Sequence, residues 1–305
     1  MKIKTVALLG AGAVGAYFIW GLSEKMGEDF CVVAKGARKE RLEKEGLIIN
    51  GKQYDLNVKE PDEVKNVDLL LVSSKQDGLN EALDDIQGMV GEKTIVLSLL
   101  NGVKSEEIIE NAIGMEHILY SVMRIASVRK GNEITFDPEM TAGVFIGEKD
   151  CTEPTERVLG LQELFENAGI HNHFKEDIIL DMWHKYASNI AQNLPQAILG
   201  VGFGAYKESE HVHYIASQLW KEVAHVANAK GIMLSEELTL FAGGNMAARF
   251  STLQDLDAKR HTEIEMFAGE MVRMGKEYGI ATPYCEYTYH LIKALEEKND
   301  GKFEY

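Results

Sequence analysis

Apolar and polar positions fall into two regimes along the chain. In the first half, short unbroken apolar runs end in glycine or polar residues: IKTVALL (3–9), FCVVAK (30–35), VDLLLVSSK (67–75) and EKTIVLSLLNG (92–102). Runs of this β-branched and leucine content, without polar alternation, predict parallel strands covered on both faces, whose C-terminal ends open on a ligand crevice. From 117 to 148 hairpin-like turns separate further strand patterns, expected to complete the far edge of the same sheet. The period then changes. PTERVLGLQELFENAG (154–169) predicts a helix stopped at Gly169, and HNHFKED (171–177) predicts a connection to a second domain. Beyond 177 the segments 177–194, 211–231, 235–250, 260–279 and 282–299 all carry helical apolar spacing. The expected organisation is an α/β domain over 1–172 and a helical domain over 173–305, with no internal repeat or proline-rich linker.

The run VALLGAGAVGAYFIWGL (6–22) imitates an export signal, since it is apolar and follows two lysines. Gly10, Gly12, Gly15 and Gly21 interrupt it, no small-residue cleavage site follows, and its length is about the minimum for crossing a bilayer. Strand, GxGxxG and helix in succession fit a dinucleotide corner better. Gly10 allows the tight turn, Gly12 lets backbone approach a pyrophosphate, and Gly15 lets helix and strand pack closely. Gly10, Ala11, Gly12, Ala13, Val14 and Gly15 are therefore the expected cofactor-binding corner, with the helix N-terminus facing the phosphates. The competing reading is a glycine-rich turn without a ligand.

The 305 residues, 45% of them hydrophobic, suffice for about two domains, and the net charge of −16 opposes nucleic-acid or anionic-membrane partners. Cys31, Cys151 and Cys285 are widely separated, which suits a reducing cytoplasm. The HNH of 171–173 has no further ligands at metal-site spacing, so no metal is expected.

The end of the second strand should identify the dinucleotide. An acidic residue that would accept from the ribose 2′-OH is missing there, and Lys35 and Arg38 stand in its place. A cationic pair favours a 2′-phosphate and hence NADP(H), unless both charges are simply solvated. Lys75 and Asn101, at the ends of the next two runs, are candidates for cofactor phosphate or ribose and for the nicotinamide side, or are ordinary loop residues. In the helical half, Lys185, Asn189 and Asn193 recur every four residues, so one face carries an ammonium and two amides among apolar neighbours. FSTLQDLDAKRHTEIE (250–265) then brings Ser251 and Glu263, the latter expected in a helix with Arg260 and His261.

With LGAGAVG, SSK, LLNG, MWHKYASNIAQN and STLQDLDAKRHTEIE in place, the chain resembles the ketopantoate reductases (2-dehydropantoate 2-reductases) over nearly its whole length. The resemblance implies a Rossmann-type doubly wound sheet followed by an all-helical domain, with a 2-oxo acid bound between them and reduced by NADPH. It implies Lys185 and Glu263 as catalytic residues. Asn101, Asn189, Asn193 and Ser251 match substrate positions, and Lys75, Asn101 and the glycines match cofactor positions. Lys35 lies where the family often has arginine. Two departures bear on substrate identity. The chain reads NLPQA where the family runs from asparagine directly into proline, and GVGFG stands where the family has a further polar contact. A relative acting on other branched or aromatic 2-oxo acids, giving D-2-hydroxy acids, is the enzymatic alternative; a non-catalytic nucleotide sensor is the other, opposed by the Lys185 and Glu263 pattern. A homodimer and a closed monomer are both compatible with the apolar helices.

Overall fold

In the computed structural model, which describes residues 1–74, 76–241 and 245–303, contacts divide the chain into two compact units, Met1–Asp181 and Met182–Tyr305. The strands are β1 (Val6–Leu9), β2 (Phe30–Val33), β3 (Leu47–Ile49), β4 (Lys52–Tyr54), β5 (Val58–Lys59), β6 (Leu69–Val72), β7 (Ile95–Ser98), β8 (Ile118–Arg124), β9 (Ser127–Lys130), β10 (Glu133–Phe136), β11 (Gly143–Gly147) and β12 (Asn172–Phe174). One sheet runs in the order β12-β11-β8-β7-β6-β1-β2-β5. From β5 to β8 every neighbour is parallel, with Leu8 lying between Val32 and Leu71; β11 is antiparallel to β8, and β12 parallel to β11. The strand order reverses between β1 and β6, the switch point at whose C-terminal ends a doubly wound sheet binds its ligand.

Each central strand is buried on both sides, which accounts for its unbroken apolar run. Leu8, Val32, Leu71 and Leu97 face the helix Ala13–Met26, whereas Ala7, Val33, Leu70 and Val96 face the side holding Ile86, Met89 and Ile109. The expectation that all strands of 117–148 extend this sheet is corrected. Only β8 and β11 do so, while β9 and β10 join β3 and β4 in a second sheet of order β4-β3-β10-β9. In β10 only Ile134 and Phe136 are buried, and Phe136 meets Tyr17 and Trp20 with ring centroids 5.4 and 6.0 Å apart. The small sheet thus covers the side of Ala13–Met26 turned from the main sheet. A helix covered on two sides needs apolar residues nearly all round, which explains the resemblance of 6–22 to an export segment.

Residues 172–174 add a strand to the main sheet where a connection is expected, and the division between the units falls beyond residue 172, inside the helix Ile178–Ser188. In the second unit this helix continues through a π turn, Asn189–Asn193, into Leu194–Leu199; Glu210–Ala229, Ser251–Asp257, a second π turn Glu265–Gly269 leading into Glu270–Tyr278, and Pro283–Asn299 follow. The core holds Tyr186, Tyr206, Trp220 and Phe267. The helix expected over 235–250 does not form among its described residues. Its backbone is instead engaged by other groups. Gln192 Nε2 donates to Thr239 O (3.2 Å) and Gln192 Oε1 accepts from Phe241 N (3.3 Å). Gln196 repeats the pattern with Ala248 O (3.0 Å) and Phe250 N (2.6 Å). No helix among the described residues is long and apolar enough to cross a membrane.

Candidate functional site

At the end of β1 the three glycines do different work. Gly10 has φ +108°, and a Cβ there would lie 2.7 Å from the Ser73 backbone. A Cβ on Gly15 would lie 2.2 Å from Gly10 O, so no side chain fits where the helix crosses the strand end. Gly12 is the opposite case: it has extended backbone, and among the described residues nothing lies within 4 Å of its missing Cβ. The Ser73 hydroxyl, which sequence reasoning missed, donates to Gly10 O at 2.5 Å and ties the two strand ends of the switch point together. The first helical bond runs from Ala16 N to Gly12 O, no side chain caps the helix, and no acidic residue occupies its first turn. The N–H groups of Ala13, Val14 and Gly15 therefore head a positive dipole end beside open space, a cradle that fits a pyrophosphate.

After β7, the loop bearing Asn101 rests on a buried chain of hydroxyls. Ser121 Oγ donates to Ser98 O, Ser98 Oγ to Ser105 Oγ (2.8 Å), and Ser105 Oγ to Glu106 (2.9 Å). Gly102, with φ +94°, makes the turn that follows. Lys75 lies outside the described residues. Lys35 and Arg38 are both exposed at the start of the helix Gly36–Glu45. Lys35 Nζ pairs with Asp85 Oδ1 at 2.6 Å, and that hydrogen bond holds the ammonium above the ordinary lysine pKa, with Asp62 and Glu60 adding to it. An anion recruiting Lys35 has to compete with Asp85.

In the second unit, Lys185 is half-buried in Ile178–Ser188, and Asn189 and Asn193 are 8% and 5% exposed in the π turn directly after it. Asn193 Nδ2 donates to Asn189 Oδ1 at 3.4 Å, so the two amides share a face as the spacing predicts. Among the described residues Asn193 Oδ1 is buried without a partner, and Thr252 Oγ1, next to Ser251, is likewise unpartnered. A buried acceptor left open in this way suits a donor on a bound ligand. Ser251 is exposed at the start of Ser251–Asp257, directly after Phe250, whose N–H is held by Gln196. Glu263 is half-buried in the turn ahead of the second π turn; Arg260 and His261 stand outside any helix, which corrects the helix expected around them.

The GVGFG loop has a structural explanation. A Cβ on Gly202 would lie 2.6 Å from Met246 O, and Phe203 N and Gly204 N donate to Ala248 O (3.1 Å) and Met246 O (2.8 Å). Phe203 then packs with Phe241 and Phe250. Gln192 and Gln196 carried a legible signal, being two further amides four residues apart in the helix that holds Asn189 and Asn193. The rings of His171 and His173 are bonded to the carbonyls of Thr141 and Ala142, and the three cysteines are free thiols.

Two family models describe the chain: ketopantoate reductase PanE/ApbA over residues 6–147, and ketopantoate reductase PanE/ApbA C terminal over 177–296. A 2-dehydropantoate 2-reductase of Pyrococcus horikoshii is 28% identical over 97% of this chain and 99% of its own. Among solved structures, D-mandelate dehydrogenase with NADH and anilino(oxo)acetate matches with a TM-score of 0.82 at 26% identity, covering 97% of this chain and 99% of that one. The PanE/ApbA family ketopantoate reductase of Ralstonia eutropha shares the fold, with a TM-score of 0.79 at 24% identity over 97% and 99% of the two chains.

Proposed function

Because the chain belongs to the ketopantoate reductase (PanE/ApbA) family, we propose that it reduces 2-dehydropantoate to (R)-pantoate with NADPH, a step of pantothenate and coenzyme A biosynthesis. The observation that carries this reading is the column Lys185, Asn189 and Asn193, in which a half-buried ammonium is followed by two buried amides, one with an open acceptor. In this reading Gly10 to Gly15 hold the pyrophosphate, Arg38 and Lys35 the 2′-phosphate, and Lys75 and Asn101 further cofactor groups.

The cofactor, when bound, supplies the hydride. Charge then builds on the carbonyl oxygen, and a cation already in place there lowers the barrier. Lys185 supplies that cation and gives the oxygen its proton, a general-acid step worth about 10²–10⁴-fold. Glu263 orients the lysine or accepts from the nascent hydroxyl, while Asn101, Asn189, Asn193 and Ser251 hold the carboxylate and substrate hydroxyl.

A second reading, a dehydrogenase giving other D-2-hydroxy acids, is favoured by the Phe203, Phe241 and Phe250 cluster beside Ser251 and by the similarity to D-mandelate dehydrogenase. NADPH oxidation measured with 2-dehydropantoate and a panel of branched and aromatic 2-oxo acids separates the two readings. The first fails if an aromatic acid has the higher kcat/KM, and both fail if no acid is turned over. Lys185→Ala should lower kcat by about 10²-fold or more while NADPH affinity stays within a few-fold. A kcat within a few-fold of wild type would remove Lys185 from its role.

A further inference from the structure

The chain reaches Glu263 through a turn that the C-terminal helix holds from one side. Ser251–Asp257 ends, Lys259 adopts φ +53°, and Arg260 N bonds back to Asp255 O at 2.8 Å. From the end of Pro283–Asn299, Asn299 Nδ2 donates to Leu256 O (2.9 Å) and Asp300 lies 3.1 Å from His261 Nε2. The third and innermost hold is Glu296, only 2% exposed, whose Oε1 accepts both the N–H and the hydroxyl of Thr262, each at 2.7 Å. Its Oε2 is paired with Lys293 at 2.9 Å and faces His261 Nδ1 at 3.7 Å. Thr262 Oγ1 in turn accepts from Ile264 N at 3.2 Å. The residues on either side of Glu263 are thus tied through one hydroxyl, and that hydroxyl is tied to one buried carboxylate.

Burying a carboxylate carries a large desolvation cost, and apolar residues of similar volume often serve stability as well as a buried ion pair does. Here the carboxylate fixes backbone, and it fixes the peptide that sets where Glu263 begins. We propose that Glu296 is a positioning residue for Glu263, acting through Thr262. This rests on the reductase reading, in which Glu263 works on the substrate. A displacement of about 1 Å at a reacting group can cost about 10²-fold in rate.

The test compares kcat, KM, NADPH affinity and Tm for wild type, Glu296→Gln, Thr262→Val, Thr262→Ser, Glu263→Ala and the Glu296→Gln/Glu263→Ala double variant, on the 2-oxo acid that the panel ranks best. Glu296→Gln keeps the shape and one acceptor, and Thr262→Ser keeps the hydroxyl. The expected result is a loss of about 10–100-fold in kcat for Glu296→Gln and Thr262→Val, recovery to within about 3-fold for Thr262→Ser, and NADPH affinity within about 2-fold throughout. In the Glu263→Ala background, Glu296→Gln should change kcat by less than about 2-fold, because the group it positions is gone. Equal losses in both backgrounds, or a Glu296→Gln protein with wild-type kcat, would overturn the positioning role alone. A Glu263→Ala protein with wild-type kcat would overturn the reading of Glu263, and the positioning with it.

Discussion

Gly12 and Gly15 sit three residues apart in one motif, yet alanine at each should fail in a different way. At Gly15 the new Cβ would be 2.2 Å from Gly10 O and 2.9 Å from Ser73 Oγ, where ordinary contact begins near 3.4 Å. The carbonyl is backbone and cannot swing aside, so the helix must retreat by about 1 Å from the strand end. Overpacking of this kind costs about 1–3 kcal/mol, of which the better helix propensity of alanine returns about 1 kcal/mol. At Gly12 the backbone is extended (φ −89°, ψ −164°), so the methyl group meets none of the described residues and stability should stay within about 1 kcal/mol of wild type. On the proposed reading, that same methyl would occupy the approach of a pyrophosphate. NADPH affinity should fall at least about 10-fold, or about 1.4 kcal/mol. Urea unfolding without cofactor reads the first effect, and titration of NADPH fluorescence the second. Gly12→Ala binding NADPH as wild type does would refute the assignment of the open space to phosphate. Equal loss of stability in the two variants would refute the distinction between the glycines.

Arg38→Ala should weaken NADPH by about 10–100-fold and leave NADH within about 2-fold, as expected for loss of a charge-assisted contact to a 2′-phosphate; equal losses for both cofactors would contradict the 2′-phosphate role. Asp85→Asn releases Lys35 from its ion pair and should tighten NADPH, by no more than about 5-fold because the ammonium is largely exposed to solvent; direct titration decides. Gln196→Met leaves Phe250 N without its partner, while Ala248 O keeps the Phe203 N–H, and should cost about 1–3 kcal/mol in urea unfolding, whereas a loss below about 0.5 kcal/mol would mean the strap holds without it. Glu296 is held below the ordinary glutamate pKa, burial opposing the shift and Lys293 and Thr262 producing it. Its contribution is therefore present above the unfolded-state pKa and is lost as pH falls through the lower folded value, so Glu296→Gln should flatten the acid side of the Tm profile and leave its neutral-to-alkaline shape unchanged.

What could be read from the sequence was local. The strand, turn and helix around the glycines lie within a few residues of one another, although Ser73 adds a distant constraint on Gly10 and Gly15, and the central strands announce themselves because burial on both faces removes polar residues. Lys185, Asn189 and Asn193 are legible for the same reason, since one helix carries all three. The misreadings share a cause in distant partners. β10 pairs with β3, some 85 positions earlier, and four-residue strands hold too little pattern to say which sheet they join. Segment 235–250 has helical spacing, but two glutamines and the glycines of 200–204 engage its backbone first. Asp85 neutralises Lys35, and Glu296 grips Thr262, through contacts that no motif spacing reports.

The two π turns give the candidate site its geometry. Along an α-helix a step of four residues overshoots a full turn by about 40°, so a column of three groups at that spacing would drift by about 80°. Lys185 to Asn189 takes one such step, but Asn189 to Asn193 crosses the π turn, whose wider winding falls short of a full turn by about 30° and brings Asn193 back toward the line of Lys185. Pro195 supplies a local cause: it has no N–H to bond the carbonyl of Ala191, and in a regular α turn its ring would clash with that carbonyl. The one-residue shift of this proline relative to the family pattern is therefore compatible with keeping both amides on one face. The second π turn is tied to the first helix by Tyr186, whose hydroxyl lies 3.1 Å from Met266 O and 2.7 Å from Phe267 O. Burial pushes the Tyr186 pKa well above the ordinary tyrosine value, so the hydroxyl remains a donor. Tyr186 follows Lys185 directly, and Met266 lies one short turn after Glu263. A single buried O–H thus fixes the backbone that carries the proposed proton donor relative to the backbone that carries its carboxylate, and Glu296 constrains the same carboxylate from the other side.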